Sequence, residues 1–277
     1  MPSSFKKYDH WTKYCKMQWS IVRRGIFIRP IRLIAIKKFL KLFRTNYVSV
    51  DLTRIGKDTD GGYLVPTKIL SDISNCFSPG VERKVSFEEI LANQYAIKCF
   101  LADASIDSPP TANPNFVFDK NFLGNRNKNQ FITLKHWIDS HVSPLDTHLL
   151  LQMDIEGSEY DVFLTEEIET LKRFICIIVE FHSVDNILYP QFFSIFESIF
   201  QKLFQEFSIC HVHLNNHNGI VVKHGIEAPE VFECTFLRND YAKKLKNNNP
   251  VNLPHPLDRP NHAGREDLVM PENWWNH

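Results

Sequence analysis

The chain reads as an α/β protein built on a mostly parallel, doubly wound sheet with an antiparallel edge. Two observations predict that class. His148–Asp154 (HLLLQMD) and Phe174–Phe181 (FICIIVEF) are runs dominated by consecutive apolar residues, the pattern of parallel strands buried on both faces. From Asp72 onward, strand, loop and helix signals alternate, the order expected when helices carry the crossovers of one sheet.

The 277 residues suffice for one large domain, and 43% apolar content with 22 phenylalanines marks a globular chain. Charge is uneven. Residues 1–46 hold twelve Lys/Arg against the single Asp9, leaving 20 basic and 31 acidic residues for the remainder. A basic arm is thus joined to an acidic body. Trp11, Tyr14, Trp19, Phe27, Phe39 and Phe43 make the arm aromatic and amphipathic. It either packs on its own acidic body or a second subunit, or docks peripherally on an anionic membrane or an acidic partner. Its apolar runs, Ile26–Ile28 and Leu33–Ile36, are broken by Arg24, Arg29, Arg32 and Lys37. They fall short of the roughly 18–20 residues a bilayer span needs, and a signal-peptide core is missing. No nucleic-acid motif follows the arm, so nucleic acid is not an expected partner. The six cysteines form no C-x-x-C pair and several lie in apolar runs, which predicts reduced core thiols and a cytoplasmic setting.

Three segments are expected: a basic arm over 1–50, a domain over 51–240, and a tail over 241–277. Within the domain, Arg54–Pro66 reads as two extended pieces around Asp60-Gly61, a hairpin signal. Ile73–Ser78 is a strand ending in Pro79-Gly80. Ser86-Phe-Glu-Glu89 is a capping box opening a helix to Tyr95. Strands follow at Ala96–Asp103 and Asn115–Asp119, a helix at Thr133–His141, and a helix over Glu159–Lys172 between the two apolar strands. Pro190–Phe207 is a long helix whose phenylalanines recur at core spacing. Ser208–Leu214 and Val231–Leu237 complete the sheet.

Ligands of such sheets gather outside the C-terminal strand ends, near the topological switch point. Each predicted strand end carries polar residues: Ser78-Pro79-Gly80, Asp103, Asp119, Asp154-Ile-Glu156-Gly157, Glu180-Phe-His182 and His211-Val-His213. Period-2 spacing points the members of each pair the same way. A glycine turn lets backbone N–H groups approach a ligand, although a full G-x-G-x-x-G is absent, which disfavours a dinucleotide. Asp103 suits the ribose hydroxyls of a nucleoside cofactor; Asp119 is equally ordinary turn chemistry. Asp154 and Glu156 repel one another, so one acts as a general base or both share a cation. His182 and His213 are candidate bases, donors or metal ligands, with His211 structural. No nucleophile elbow is present and no cysteine sits beside a helix start, so covalent catalysis is not expected.

Together, LLQMDIEGSEYDVF, RIGKDTDGGY, the S-P-G-V loop with its following S-F-E, FLADASID, VEFH, HVHLNN and FECTFLR resemble the FkbM-type methyltransferases, from about Arg54 to Arg238. The resemblance implies a class I, Rossmann-like fold with seven strands and S-adenosyl-L-methionine as cofactor. It implies O-methylation of a hydroxyl on a sugar, glycan or other small natural product. Ser78, Pro79, Gly80 and Val81 would hold the methionine end, Asp103 the ribose, and Phe118 or Asp119 the adenine. Asp154 and Glu156 would border the transferring methyl group, and Glu180, His182 and His213 would face the acceptor. Base candidates are His182, Glu156 and His213, in that order. A metal-assisted variant places a hard divalent ion on Asp154, Glu180 and His182. One departure is Glu82-Arg83-Lys84, where a glycine-rich turn is more usual. The rival from another class is a non-catalytic cofactor-fold protein that docks through its arm. Leu123–Gln130, Ser183–Tyr189 and Asn215–Glu230, with His217, Asn218 and His224, are expected to set acceptor specificity.

Overall fold

The computed structural model describes residues 33–223 and 225–275. Most of the basic arm, Cys15 and His224 therefore lie outside the described residues.

Helix α1 (Leu33–Thr45) buries Ile36, Phe39, Leu40 and Phe43. Phe39 meets Phe193, Phe196 and Phe200 edge-on, and Phe43 meets Phe232 and Trp274. The apolar stripe of this piece of the arm is therefore part of the body's own core, and Lys37, Lys38 and Lys41 stay outside. Strands β1 (Leu52–Gly56) and β2 (Gly62–Pro66) pair as the expected antiparallel hairpin. Its loop is wider than a tight Asp-Gly turn. Positive φ falls at Gly56 and Gly61 rather than at Asp60, and Arg54 fills the loop by donating to the carbonyls of Lys57 and Thr59.

The remaining elements follow in order: β3 (Asn75–Pro79), α2 (Ser86–Tyr95), β4 (Lys98–Ala102), β5 (Phe116–Asp119), the short β6 (Phe122–Leu123) and β7 (Phe131–Ile132), α3 (Leu134–His141), β8 (Leu149–Met153), α4 (Glu159–Thr165), α5 (Ile168–Leu171), β9 (Phe174–His182), α6 (Pro190–Leu203), β10 (Phe207–Leu214), β11 (Ile220–Lys223), β12 (Ile226–Pro229), β13 (Val231–Arg238), α7 (Asn239–Leu245) and α8 (Glu272–Trp275). Seven of these strands form one sheet in the order β10-β13-β9-β8-β3-β4-β5. β13 alone runs opposite to the other six, and it lies between β9 and β10 rather than at the edge where the sequence placed the antiparallel strand. The chain moves outward from β3 through β4 and β5, then returns on the other side of β3 as β8. The topological switch thus falls between β3 and β8, where such sheets bind ligands. Successive side chains of each strand enter opposite cores. Phe77, Leu151, Met153, Val179 and Phe181 join α1, α3, α4 and α6. Cys76, Leu150, Cys176 and Ile178 join α2, α7 and the hairpin. The five cysteines among the described residues are buried free thiols.

Three local expectations are corrected. The capping box does not form, because Ser86 is the first helical residue and Val85 the N-cap; the Ser86 hydroxyl instead donates to the Gly61 carbonyl and pins the hairpin. The helix expected over Glu159–Lys172 breaks in two. Glu166 turns out of it to accept the Lys135 N–H, and Lys202 collects the carbonyls of Phe163 and Glu166. The long helix ends at Leu203, and Phe207 already begins β10. The tail folds back over the tips of β10 and β13. Asn216 donates to backbone carbonyls of His262, Arg265 and Glu266, and buried Trp274 packs on Phe43 and Phe232.

Candidate active site

Four acids and one histidine meet where β8 and β9 end. The Asp154–Ser158 corner wraps around a glutamate of its own sequence: Glu159, fully buried at the start of α4, accepts the N–H groups of Ile155 and Gly157. The same oxygen lies 3.1 Å from His182 Nδ1. Glu156 and Gly157 both adopt left-handed backbone, at φ 57° and 99°, a conformation that costs a non-glycine residue energy. Tyr160 fixes the opposite strand by donating to the His182 carbonyl at 2.6 Å. The second ring nitrogen, Nε2, faces Glu180 Oε1 at 3.4 Å, Asp154 Oδ1 at 3.7 Å and Glu156 Oε2 at 3.8 Å.

Electrostatics follow from this crowding. Burial lifts Asp154 to about 7, opposed by His182 and reinforced by Glu159 and Glu156. Burial, then the charges of Asp154 and Glu233, pushes Glu180 well above the carboxylate range. For His182 burial acts downward, but the Glu159 hydrogen bond and the surrounding carboxylates outweigh it and raise it to about 10.

A polar row continues across the sheet. Glu180 pairs in register with Glu233 on β13, and Glu233 with His213 on β10. Asn215 donates to Glu180 at 3.1 Å and Asn261 to Glu233 at 2.7 Å. His213 is therefore joined to His182 only through two glutamates. It is clamped between Glu233 at 3.6 Å and Asp267 at 3.0 Å, which raises it to about 10 against the opposing effect of burial. His211 faces tail residue Asp258 at 2.9 Å, both side chains 2% exposed. The tail thus supplies Asp258, Asn261 and Asp267 to this row, a contribution that no local motif announces.

On the other side of the switch point, Gly80 sits at φ 86° with its Cα pressed against the Asp154 carbonyl, and the Pro79 carbonyl faces the Asp154 N–H at 3.5 Å. This turn leads into α2, which opens at Ser86. Val81 is buried beside it. Asp103, 3% exposed, accepts the N–H of Glu82 through one oxygen and that of Ser105 through the other. It therefore shapes the turn at Glu82, a second left-handed position at φ 43°. Asp119 stands at the far edge strand, where its Oδ2 binds Trp137 Nε1 at 2.9 Å and His141 Nε2 at 2.7 Å. Phe118 is half-buried against the hairpin-side core.

Ser78 points inward, to a network that sequence reasoning missed. Its hydroxyl lies within hydrogen-bond distance of both Glu88 and Gln152, and Gln152 donates to Tyr63 at 3.1 Å. One hydroxyl proton cannot serve two acceptors. A protonated Glu88 donating to Ser78, and Ser78 to Gln152, satisfies every member. Consistently, burial lifts Glu88 to about 7, against the hydrogen bond with Ser78. Because this folded value lies above the unfolded one, the contribution to stability is full below about pH 4.5 and is lost as pH rises through about 7. At 2% exposure it amounts to about 3 kcal/mol at most. Urea midpoints of the wild type are expected to fall between pH 5 and pH 8, and Glu88→Gln to flatten that fall; parallel curves would remove the protonated glutamate.

An α/β sheet with a glycine turn after β3, a carboxylate after β4 and an Asp-x-Glu-Gly corner after β8 has the layout of a methyltransferase. A family model, the methyltransferase FkbM domain, matches residues 66–207, and the chain belongs to that family. A search of the curated proteins finds no match. The matched span carries both the Gly80 turn and the Asp154–His182 cluster, and leaves His213, Glu233 and the tail outside it.

Proposed function

We propose that the protein is an S-adenosylmethionine-dependent O-methyltransferase acting on a neutral hydroxyl of a sugar, glycan or other small natural product. The observation that carries this reading is the contact between Gly80 and the Asp154 carbonyl, which makes the donor-side turn and the acid cluster two walls of one site. The order of the seven strands, with its switch between β3 and β8, supports the doubly wound class I arrangement.

The residues present fit the donor. In this reading the backbone of Ser78–Val81 would meet its methionine end. Each Asp103 oxygen accepts one N–H and keeps a lone pair for a ribose hydroxyl. Near the adenine, Phe118 and Asp119 Oδ1 are available, since Oδ2 is engaged by α3. When bound, the donor supplies an electrophilic methyl group on a sulfonium. The chain's part is to align an acceptor oxygen and take its proton. His182 is not suited to that, because both its ring nitrogens already face carboxylate oxygens. Glu156, with a 59% exposed side chain on the open side of the cluster, takes the role of base in place of His182. His213, enclosed by Glu233 and Asp267, is a positioning residue. Carboxylates and the amides of Asn215 and Asn261 suit hydroxyl groups, and the carboxylates repel phosphorylated or carboxylated acceptors.

Among the described residues no helix is long and apolar enough to cross a membrane, and the apolar face of α1 is committed to the core. That piece of the arm is therefore not a surface for docking. Calorimetry is expected to detect S-adenosylhomocysteine binding, and labelled methyl transfer to appear on a panel of neutral oligosaccharides and polyols. No binding at millimolar ligand would end this reading.

A further inference from the structure

We infer that Asp154, Glu180 and His182 form a binding site for one divalent transition-metal ion of the Mn²⁺ or Zn²⁺ kind. The inference stands apart from methyl transfer, since it concerns a ligand set that is complete without donor or acceptor.

The ligand geometry comes first. One oxygen of Asp154, one of Glu180 and a ring nitrogen of His182 lie within 4.8 Å of one another. Seen from His182 Nε2, the carboxylate oxygens stand at 3.4 and 3.7 Å. Metal–ligand bonds of about 2.1 Å set neighbouring ligands roughly 3–3.4 Å apart. The two carboxylate–imidazole separations therefore already lie close to ligand spacing.

Unsatisfied polar atoms are a second, independent observation. Glu180 Oε2 and Asp154 Oδ1 are buried and accept no hydrogen bond, although Glu180 is only 5% exposed. Buried carboxylate oxygens without a partner are rare, and a shared cation accounts for them. The ion pairs of both acids run to His182 alone among the described residues, so one imidazolium faces several carboxylates.

The outer shell matches as well. Glu159 lies 3.1 Å from His182 Nδ1 and is itself anchored by two backbone N–H groups. A carboxylate on one imidazole nitrogen fixes the tautomer that presents the other nitrogen's lone pair to a metal. Mixed oxygen and imidazole ligation favours Mn²⁺ or Zn²⁺ over Mg²⁺ or Ca²⁺. The exposed side, toward Glu156, leaves coordination positions for acceptor oxygens.

The test uses the full chain, stripped by chelator and titrated with Mn²⁺ while free Mn²⁺ is followed by electron paramagnetic resonance. One equivalent is expected to bind at pH 8, more weakly at pH 5.5 because protons compete for the ligands. Glu180→Gln and His182→Asn are each expected to weaken binding at least 100-fold, and Glu159→Gln about 10- to 100-fold. Asp107→Asn, remote and exposed, should bind as wild type. Circular dichroism confirms folding, and Asp154→Asn replaces any variant that fails it. Absence of Mn²⁺ and Zn²⁺ binding at millimolar metal, or wild-type affinity in Glu180→Gln, overturns the site. Calorimetry with S-adenosylhomocysteine on the same samples separates the two proposals: donor binding without metal removes only the metal, and metal binding without donor removes only methyl transfer.

Discussion

Gly80→Ala is expected to destabilise the protein by more than about 3 kcal/mol and to abolish binding of S-adenosylhomocysteine. Its backbone is left-handed, at φ 86°, which alone costs a side-chain-bearing residue about 1–2 kcal/mol. A Cβ there would also stand 1.8 Å from the Asp154 carbonyl oxygen, 2.8 Å from its carbon and 3.1 Å from Ile155 Cγ2. No rotamer relieves a contact with backbone, so one strand tip has to move. Both tips belong to buried strands, and moving either separates the donor turn from the acid cluster. Gly225 supplies an internal control. It is left-handed at φ 73°, yet nothing lies within 4 Å of its Cβ position, so Gly225→Ala should cost only the backbone share, about 1 kcal/mol. Urea unfolding of the two variants separates strain from collision. If Gly80→Ala unfolds within 1 kcal/mol of Gly225→Ala and still binds the ligand, the two corners do not meet as described.

How much of this was legible in the sequence depends on the range of the interactions. Phe174–Ile178 is wholly apolar because both faces of β9 are buried, and a local run records that directly. Glu180 and His182 come together with Asp154 and Glu156 because neighbouring parallel strands end at the same level, so strand-end reading found the cluster. One residue inside the runs was an anomaly with a recoverable meaning. Gln152 interrupts LLLQM, and a buried amide in such a strand must have polar partners; Glu88, assigned to the first turn of a helix, is one end of that chain. Glu159 was hidden by resembling an ordinary first-turn acid. Its part as the hub of the corner requires the left-handed turn at Glu156 and Gly157, which the sequence marks only by a single glycine. The tail was not legible at all. Asn261 meets Glu233 and Asp258 meets His211 through pairings of distant residues, and neither segment carries a periodic pattern that demands the other. The same holds for the break before α5, set by Lys135 and Lys202 from other elements.

Glu156→Gln is expected to lower kcat by about 10²- to 10⁴-fold, the usual worth of a general base, while S-adenosylhomocysteine affinity stays within threefold. Glutamine keeps the size and backbone of the residue, so only the proton-accepting charge is lost. The backbone sharpens this assignment. A glutamate at φ 57° occupies a conformation that costs about 1 kcal/mol or more and that glycine adopts freely. A purely structural corner would be served better by glycine, as the next position is. Glu156→Gly should therefore unfold at higher urea than wild type and still be inactive, whereas a structural partner of His182, which it faces at 3.8 Å, would lose stability when removed. Stability and turnover are thus expected to move in opposite directions at this one position. Labelled methyl transfer at saturating donor, read beside urea midpoints, decides it: turnover within threefold of wild type in Glu156→Gln moves the base elsewhere, and a less stable Glu156→Gly assigns the residue to the framework of the cluster.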